Sequence, residues 1–156
     1  MNDFKNHPHA GETLLGVDFG LKVTGLALYK VGIDPIISTY GRILYQSNEQ
    51  VIKEIQDIIS MEAPDGIILG VPYFTDGKPS EMTRRVLEFA KRLVASINIP
   101  LFTQDESLST FEAEERMKND PKYNFAVDPK KIDEVAATII IEEALQQGTK
   151  LPRYNG

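Results

Sequence analysis

Three apolar strand patterns fall within residues 13–44, too close together to hold a crossover helix between them. Parallel neighbours need a crossover of a dozen or more residues, so these three strands are expected to pair antiparallel through tight turns. The first is Thr13–Phe19. A Gly20-Leu21-Lys22 turn leads to the second, Thr24–Lys30, and Gly32, Asp34 and Pro35 mark the turn before the third, Ile36–Leu44. Beyond residue 47 the period alternates. Val51, Ile52, Ile55, Ile58 and Ile59 recur at helical spacing in Asn48–Met61, with Asn48 as a plausible cap. Gly66–Gly70 is a wholly apolar strand of the kind buried on both faces. A helix over Pro79–Ile97, a strand over Pro100–Gln104 and helices over Ser109–Lys118 and Lys130–Gln147 complete the series. This order implies an α/β fold: a mixed five-stranded sheet, its first three strands antiparallel, with helices on both faces. The strands ending near Asp18, Gly70 and Gln104 are expected to run parallel, with the first beside Gly66–Gly70. Residues 13–148 make one domain, with 1–12 read as a leader and 149–156 as a tail.

Three acidic positions stand out from this framework. Asp18 ends a buried strand, where a charge is costly unless paired or bound to a cation. Asp105 and Glu106 follow another strand. Adjacent residues on an extended chain point to opposite faces, so only one of the two can face a site beside Asp18. Asp133 heads a helical face otherwise made of Ala137, Ile140 and Ala144. Each has a purely structural reading as a turn or helix cap. Together, two strand ends and a helix start can meet at one point, and carboxylates that meet need a cation. Two metal ions between such carboxylates stabilise the attacking and leaving oxygens of a phosphodiester.

Composition removes competing chemistries. No cysteine is present, which excludes thiol nucleophiles and cysteine-bound zinc. The only histidines, His7 and His9, lie in the leader, so no Ser-His-Asp triad is expected, and no Walker-type loop occurs. No stretch approaches the ~18–20 apolar residues of a membrane span. The net charge of −6 disfavours bulk phosphate affinity. Bases nevertheless collect in residues 78–92 and 118–131, and residues 105–115 are purely acidic in their charge. Lys22, Lys78 and Arg84 are therefore candidate phosphate contacts, and Tyr73 a candidate base-stacking residue.

In order along the chain stand Asp18-Phe19-Gly20 with Lys22 and Gly25; Gly70-Val71-Pro72 with Asp76-Gly77; Asp105-Glu106 with Leu108-Ser109-Thr110; and Lys131-Ile132-Asp133 with Ala136-Ala137. In these motifs residues 13–147 resemble the YqgF family, also called RuvX, of Holliday-junction resolvases and pre-16S rRNA nucleases. The resemblance implies a ribonuclease-H-like fold related to the RuvC resolvases. It implies catalytic, metal-binding carboxylates at Asp18, Glu106 and Asp133, a Mg2+ or Mn2+ cofactor and a cytoplasmic location. The role it implies is maturation of the 5′ end of 16S rRNA, with junction resolution as the older inference from fold. The chain departs from the family at Ser107, where an arginine is usual, and at Val23, where a polar or basic residue is usual. Serine at 107 removes a bidentate phosphate ligand.

The partner implied is nucleic acid, as an rRNA precursor or branched DNA, bound by a monomer or a homodimer; a symmetric junction would require the dimer. Two rival readings follow from the same residues. Actin-like ATPases share a phosphate loop resembling Asp18–Lys22, but they need two such domains. A noncatalytic nucleic-acid- or protein-binding module could keep the fold.

Overall fold

The computed structural model describes residues 13–30, 36–74, 76–106, 109–147 and 152–155, with Ser109 and Thr110 as backbone only. The described elements are β1 (Leu14–Asp18), β2 (Val23–Lys30), β3 (Ile36–Leu44), α1 (Asn48–Glu62), β4 (Gly66–Val71), α2 (Glu81–Val94), β5 (Leu101–Asp105), α3 (Ser109–Lys118), a 3-10 turn (Pro121–Tyr123), α4 (Ile132–Gln147) and β6 (Arg153–Tyr154). They form one sheet in the order β3-β2-β1-β4-β5-β6. The first three strands pair antiparallel, while β1, β4 and β5 are mutually parallel.

The five-strand expectation is corrected to six. Arg153 and Tyr154 pair antiparallel with Phe102 and Leu101, so part of the expected tail closes the β5 edge. A two-residue strand carries no alternation to read, so its pairing was not visible in the sequence. The leader 1–12 and residues 148–151 lie outside the described residues.

Side chains alternate across the sheet and divide it into two faces. Leu15, Val17, Leu26, Leu28, Ile67 and Leu69 face α1 and α2 in the larger core. Leu14, Ala27, Tyr29 and Ile68 face α4, packing on Ala137, Ile140, Ile141 and Ala144. The outer side of α4 is covered in turn by Ala113 and Met117 of α3. Helix α4 is therefore apolar around its circumference and buried along most of its length, from Glu134 to Leu145.

Glycines allow α4 to sit directly on the sheet. A Cβ at Gly25 would lie 2.0 Å from the carbonyl oxygen of Asp133, and one at Gly70 would lie 2.4 Å from Ile140. Serine side chains set the helix starts, one residue before the expected cap in α1 and one residue after the expected start, Pro79, in α2. Ser47, not Asn48, caps α1 through a reciprocal pair with Gln50, and Ser80 caps α2 through Thr83.

Candidate active site

Because β1, β4 and β5 are parallel, their C-terminal ends share one edge of the sheet. Asp18, Val71 and Asp105 end the three strands there. Asp18 belongs to the α4 face, opposite Gly25 of β2. Continuing the alternation of β5 puts Glu106 on that same face: a Cβ at Gly70 would meet its Cδ at 2.9 Å. Glu106 is buried, while Asp105 is exposed. The alternation thus decides between the two adjacent acids in favour of Glu106. Helix α4 starts over β2, and the Gly25–Asp133 approach brings its first turn to the same edge.

The carboxyl of Asp18 is held well above the usual carboxylate range. Burial is the largest cause, followed by the charges of Glu106 and Asp133 and a hydrogen bond shared with Glu106. Burial also raises Asp133, against which the guanidinium of Arg42 pulls downward. The structure therefore makes Asp18 and Glu106 direct neighbours and sets Asp133 within electrostatic reach. Among the described residues, no three Asp, Glu or His side chains already surround one point as a ligand cage. The donor set still suits a divalent cation: hard carboxylate oxygens, desolvated and mutually repelling, two of them within hydrogen-bond reach of each other.

Of the expected nucleic-acid contacts, Lys22 is exposed in the β1–β2 turn and Lys78 is exposed in the β4–α2 loop, both at the edge of Asp18. Arg84 lies in the first turns of α2, on the face opposite α4, and is paired with Glu81 and with Glu88 at 3.5 Å. Tyr73 follows β4 and packs half-buried against the larger core. Ser107 and Leu108 lie outside the described residues.

Two residues near the site were not singled out from the sequence. Arg42 pairs with Gly25, so Asp18, Gly25 and Arg42 form one cross-strand line on the α4 face. Glu143 of α4 is pushed up to about 7, first by burial and then by the charges of Glu112, Asp105, Glu142 and Glu106. The sequence signal for Glu143 is the Glu142-Glu143 pair, the charges within a Val135–Leu145 run that is apolar but for these and Thr138.

A mixed sheet with this strand order, a helix pressed on its glycine-lined face and carboxylates at the shared strand edge defines a ribonuclease-H-like protein of the RuvC type. RuvC from Thermus thermophilus, solved with a Holliday junction substrate, superposes with a TM-score of 0.60 at 9% identity, covering 91% of this chain and 99% of that one. The fowlpox virus Holliday junction resolvase gives 0.51 at 13% identity, covering 83% and 94%. At these identities the likeness is one of fold. The chain belongs to the RuvX family, described as Holliday junction resolvase, which it matches over residues 12–147. Relatives bearing the name "Putative pre-16S rRNA nuclease" include one from Shewanella oneidensis, 35% identical over 134 residues (84% of this chain, 92% of the relative). Another, from Pseudomonas putida, is 34% identical over 142 residues (87% and 96%).

Proposed function

We propose that this protein is a divalent-metal-dependent nuclease that hydrolyses a phosphodiester in the precursor of 16S rRNA, working in the cytoplasm where that precursor is processed. The observation carrying the proposal is the pairing of half-buried Asp18 with buried Glu106 at the shared strand edge, within the field of Asp133. Such a site is unfavourable in a resting fold and becomes favourable when it neutralises a cation. Asp18, Glu106 and Asp133 would hold Mg2+ or Mn2+, which supplies an activated water and charge neutralisation at the phosphate. Arg42 on β3 and Lys22 in the β1–β2 turn, both near the carboxylates, would grip the phosphates either side of the bond that is cut. Lys78 would contact the strand further along the same edge. Arg84, already paired with two glutamates, and Tyr73, packed into the core wall, would contribute less.

RNA is preferred over a DNA junction as substrate because the relatives named for rRNA are 31–35% identical over most of their length. The junction-bound neighbour shares only the fold. The test is cleavage of end-labelled 16S precursor and a four-way DNA junction in Mg2+, in Mn2+ and in EDTA. Metal-dependent cutting of the RNA, abolished by Asp18→Asn, is the expected result. Binding without cutting in any metal would overturn the nuclease reading and favour a binding module. Cutting of the junction alone would move the substrate to DNA.

A further inference from the structure

A second polar site lies beside the carboxylates. Thr39, Lys122, Tyr123, Asn124, Asp128 and Lys131 enclose a cavity of about 200 Å3 between β3 and the segment that leads into α4. It is smaller than the roughly 300–1,000 Å3 of a dedicated small-molecule pocket, and fits part of a polymer better than a free metabolite. It also adjoins the proposed active site. Thr39 and Arg42 share the α4 face of β3, and Lys131 precedes Asp133 by two residues. Arg42, whose charge acts on Asp133, is on the strand that carries Thr39 and lies in cross-strand line with Asp18 through Gly25.

The charges are arranged for a phosphate. Asp128 accepts the backbone N–H of Lys130 at 2.9 Å, which ties one of its oxygens to the turn into α4, and its single negative charge is outnumbered at the cavity by Lys122 and Lys131. Lys131 is partnered by Glu134 at 3.4 Å. Among the described residues Lys122 makes no ion pair; its ammonium lies 5.5 Å from the centre of the Tyr123 ring. It is therefore the cation at the cavity that is free to take an anion.

Next to Asn124 stands Phe125, a residue 62% exposed. Both residues adopt the left-handed backbone conformation, at φ +55 and +56. Asparagine tolerates it, whereas a bulky phenylalanine does so only when the surroundings impose it. Here they do: the N–H groups of Asn124, Phe125 and Ala126 donate to the carbonyls of Pro121, Asp120 and Tyr123. The turn thus holds an exposed aromatic residue next in the chain to Asn124, which lines the cavity together with the free ammonium of Lys122. Unpaired nucleotides are bound by this combination, a cation for the phosphate and an exposed ring for the base.

We infer that the 120–131 segment is a binding subsite for an unpaired nucleotide of the strand that passes Asp18, with Lys122 on its phosphate and Phe125 stacked on its base. The subsite rests on the nucleic-acid reading above and specifies its substrate as a single-stranded or splayed segment. The chain contains no tryptophan, so Phe125→Trp places a lone reporter at the stacking position. In the full chain carrying Asp18→Asn, short single-stranded RNA should quench F125W emission saturably, and duplex RNA of the same sequence should quench it far less. Phe125→Ala should weaken single-strand binding, read by anisotropy, by roughly 5–150-fold, the range for losing one stacked base. Lys122→Ala should flatten the log–log salt dependence by about 0.7, the value for one phosphate on a single strand. Unchanged F125W emission while anisotropy reports bound RNA would overturn the subsite. So would equal quenching by duplex, or affinities and salt slopes unaltered by both alanine variants. The two readings fail separately. Quenching in a protein whose Asp18 form never cuts RNA would sink the nuclease and leave the subsite. Cutting without quenching would do the reverse.

Discussion

An acid whose ionised form is disfavoured by desolvation and by two neighbouring acids costs the fold stability at neutral pH, and half-buried Asp18 is in that position. Asparagine has nearly the same shape and can donate to Glu106. Asp18→Asn is therefore expected to abolish cleavage while raising the melting temperature, by about 1 kcal/mol or roughly 2–4 °C for a chain of this size. Cleavage assays and thermal melts on the same preparation check both halves. A stabilised, inactive variant separates a functional acid from a structural one, whose loss would destabilise. Glu143 gives the pH-dependent counterpart. Its pKa is about 7 in the fold against an ordinary 4.5, so its contribution to stability is complete below pH 4.5 and is lost as pH rises through 7. Glu143→Gln should leave stability unchanged at pH 4 and raise it at pH 8, by about 1 kcal/mol after solvent screening of a half-exposed group. Urea denaturation at the two pH values measures the difference; an equal effect at both would remove Glu143 from the acidic cluster.

At the scale of elements, α4 is placed by backbone contact. A methyl at Gly25 cannot fit 2.0 Å from the Asp133 carbonyl, so Gly25→Ala must move the first turn of α4 away from β2. The expected cost is about 1–3 kcal/mol, the scale of overpacking, together with loss of cleavage greater than the stability change explains. Denaturation and cleavage compared at a temperature where the variant is folded separate the two effects. The elements themselves were largely legible. The strands and helices follow from period and spacing, and Glu106 was separable from Asp105 by alternation once the strand's face was known. Arg42 was not legible, for a definite reason. The β2–β3 register shifts between Leu26 and Ala27, leaving Tyr40 as the extra residue, and Gly41 takes φ +94 to pass it. Strict alternation from Thr39 would put residue 42 on the opposite face; the bulge returns it to the face of Asp18. Periodicity carries no mark of that one-residue slip.

At the scale of the whole molecule, the sheet has two edges, and one is closed by only two residues. Tyr154 packs against the larger core and its hydroxyl donates to the Leu87 carbonyl at 3.5 Å, fixing β6 beside β5. Ending the chain after Gln147 would expose the β5 edge and part of that core. The truncated protein is expected to lose about 1–3 kcal/mol and to associate through the bare edge. Urea denaturation and light scattering would show both; a monomeric truncation of full stability would show β6 to be dispensable.

The burial of α4 between the sheet and α3 also fixes when the protein can act. Its carboxylates come from residues 18, 106 and 133, and the last arrives on a helix that docks only against a finished sheet. Synthesis proceeds from the N-terminus at ~5–20 residues per second, and long-range contacts of this kind close late in folding. Until residues 132–147 have left the ribosome, α4 is incomplete and its first turn cannot approach the edge that holds Asp18. On the proposed reading, cleavage competence is therefore gained only once α4 has docked on the finished sheet.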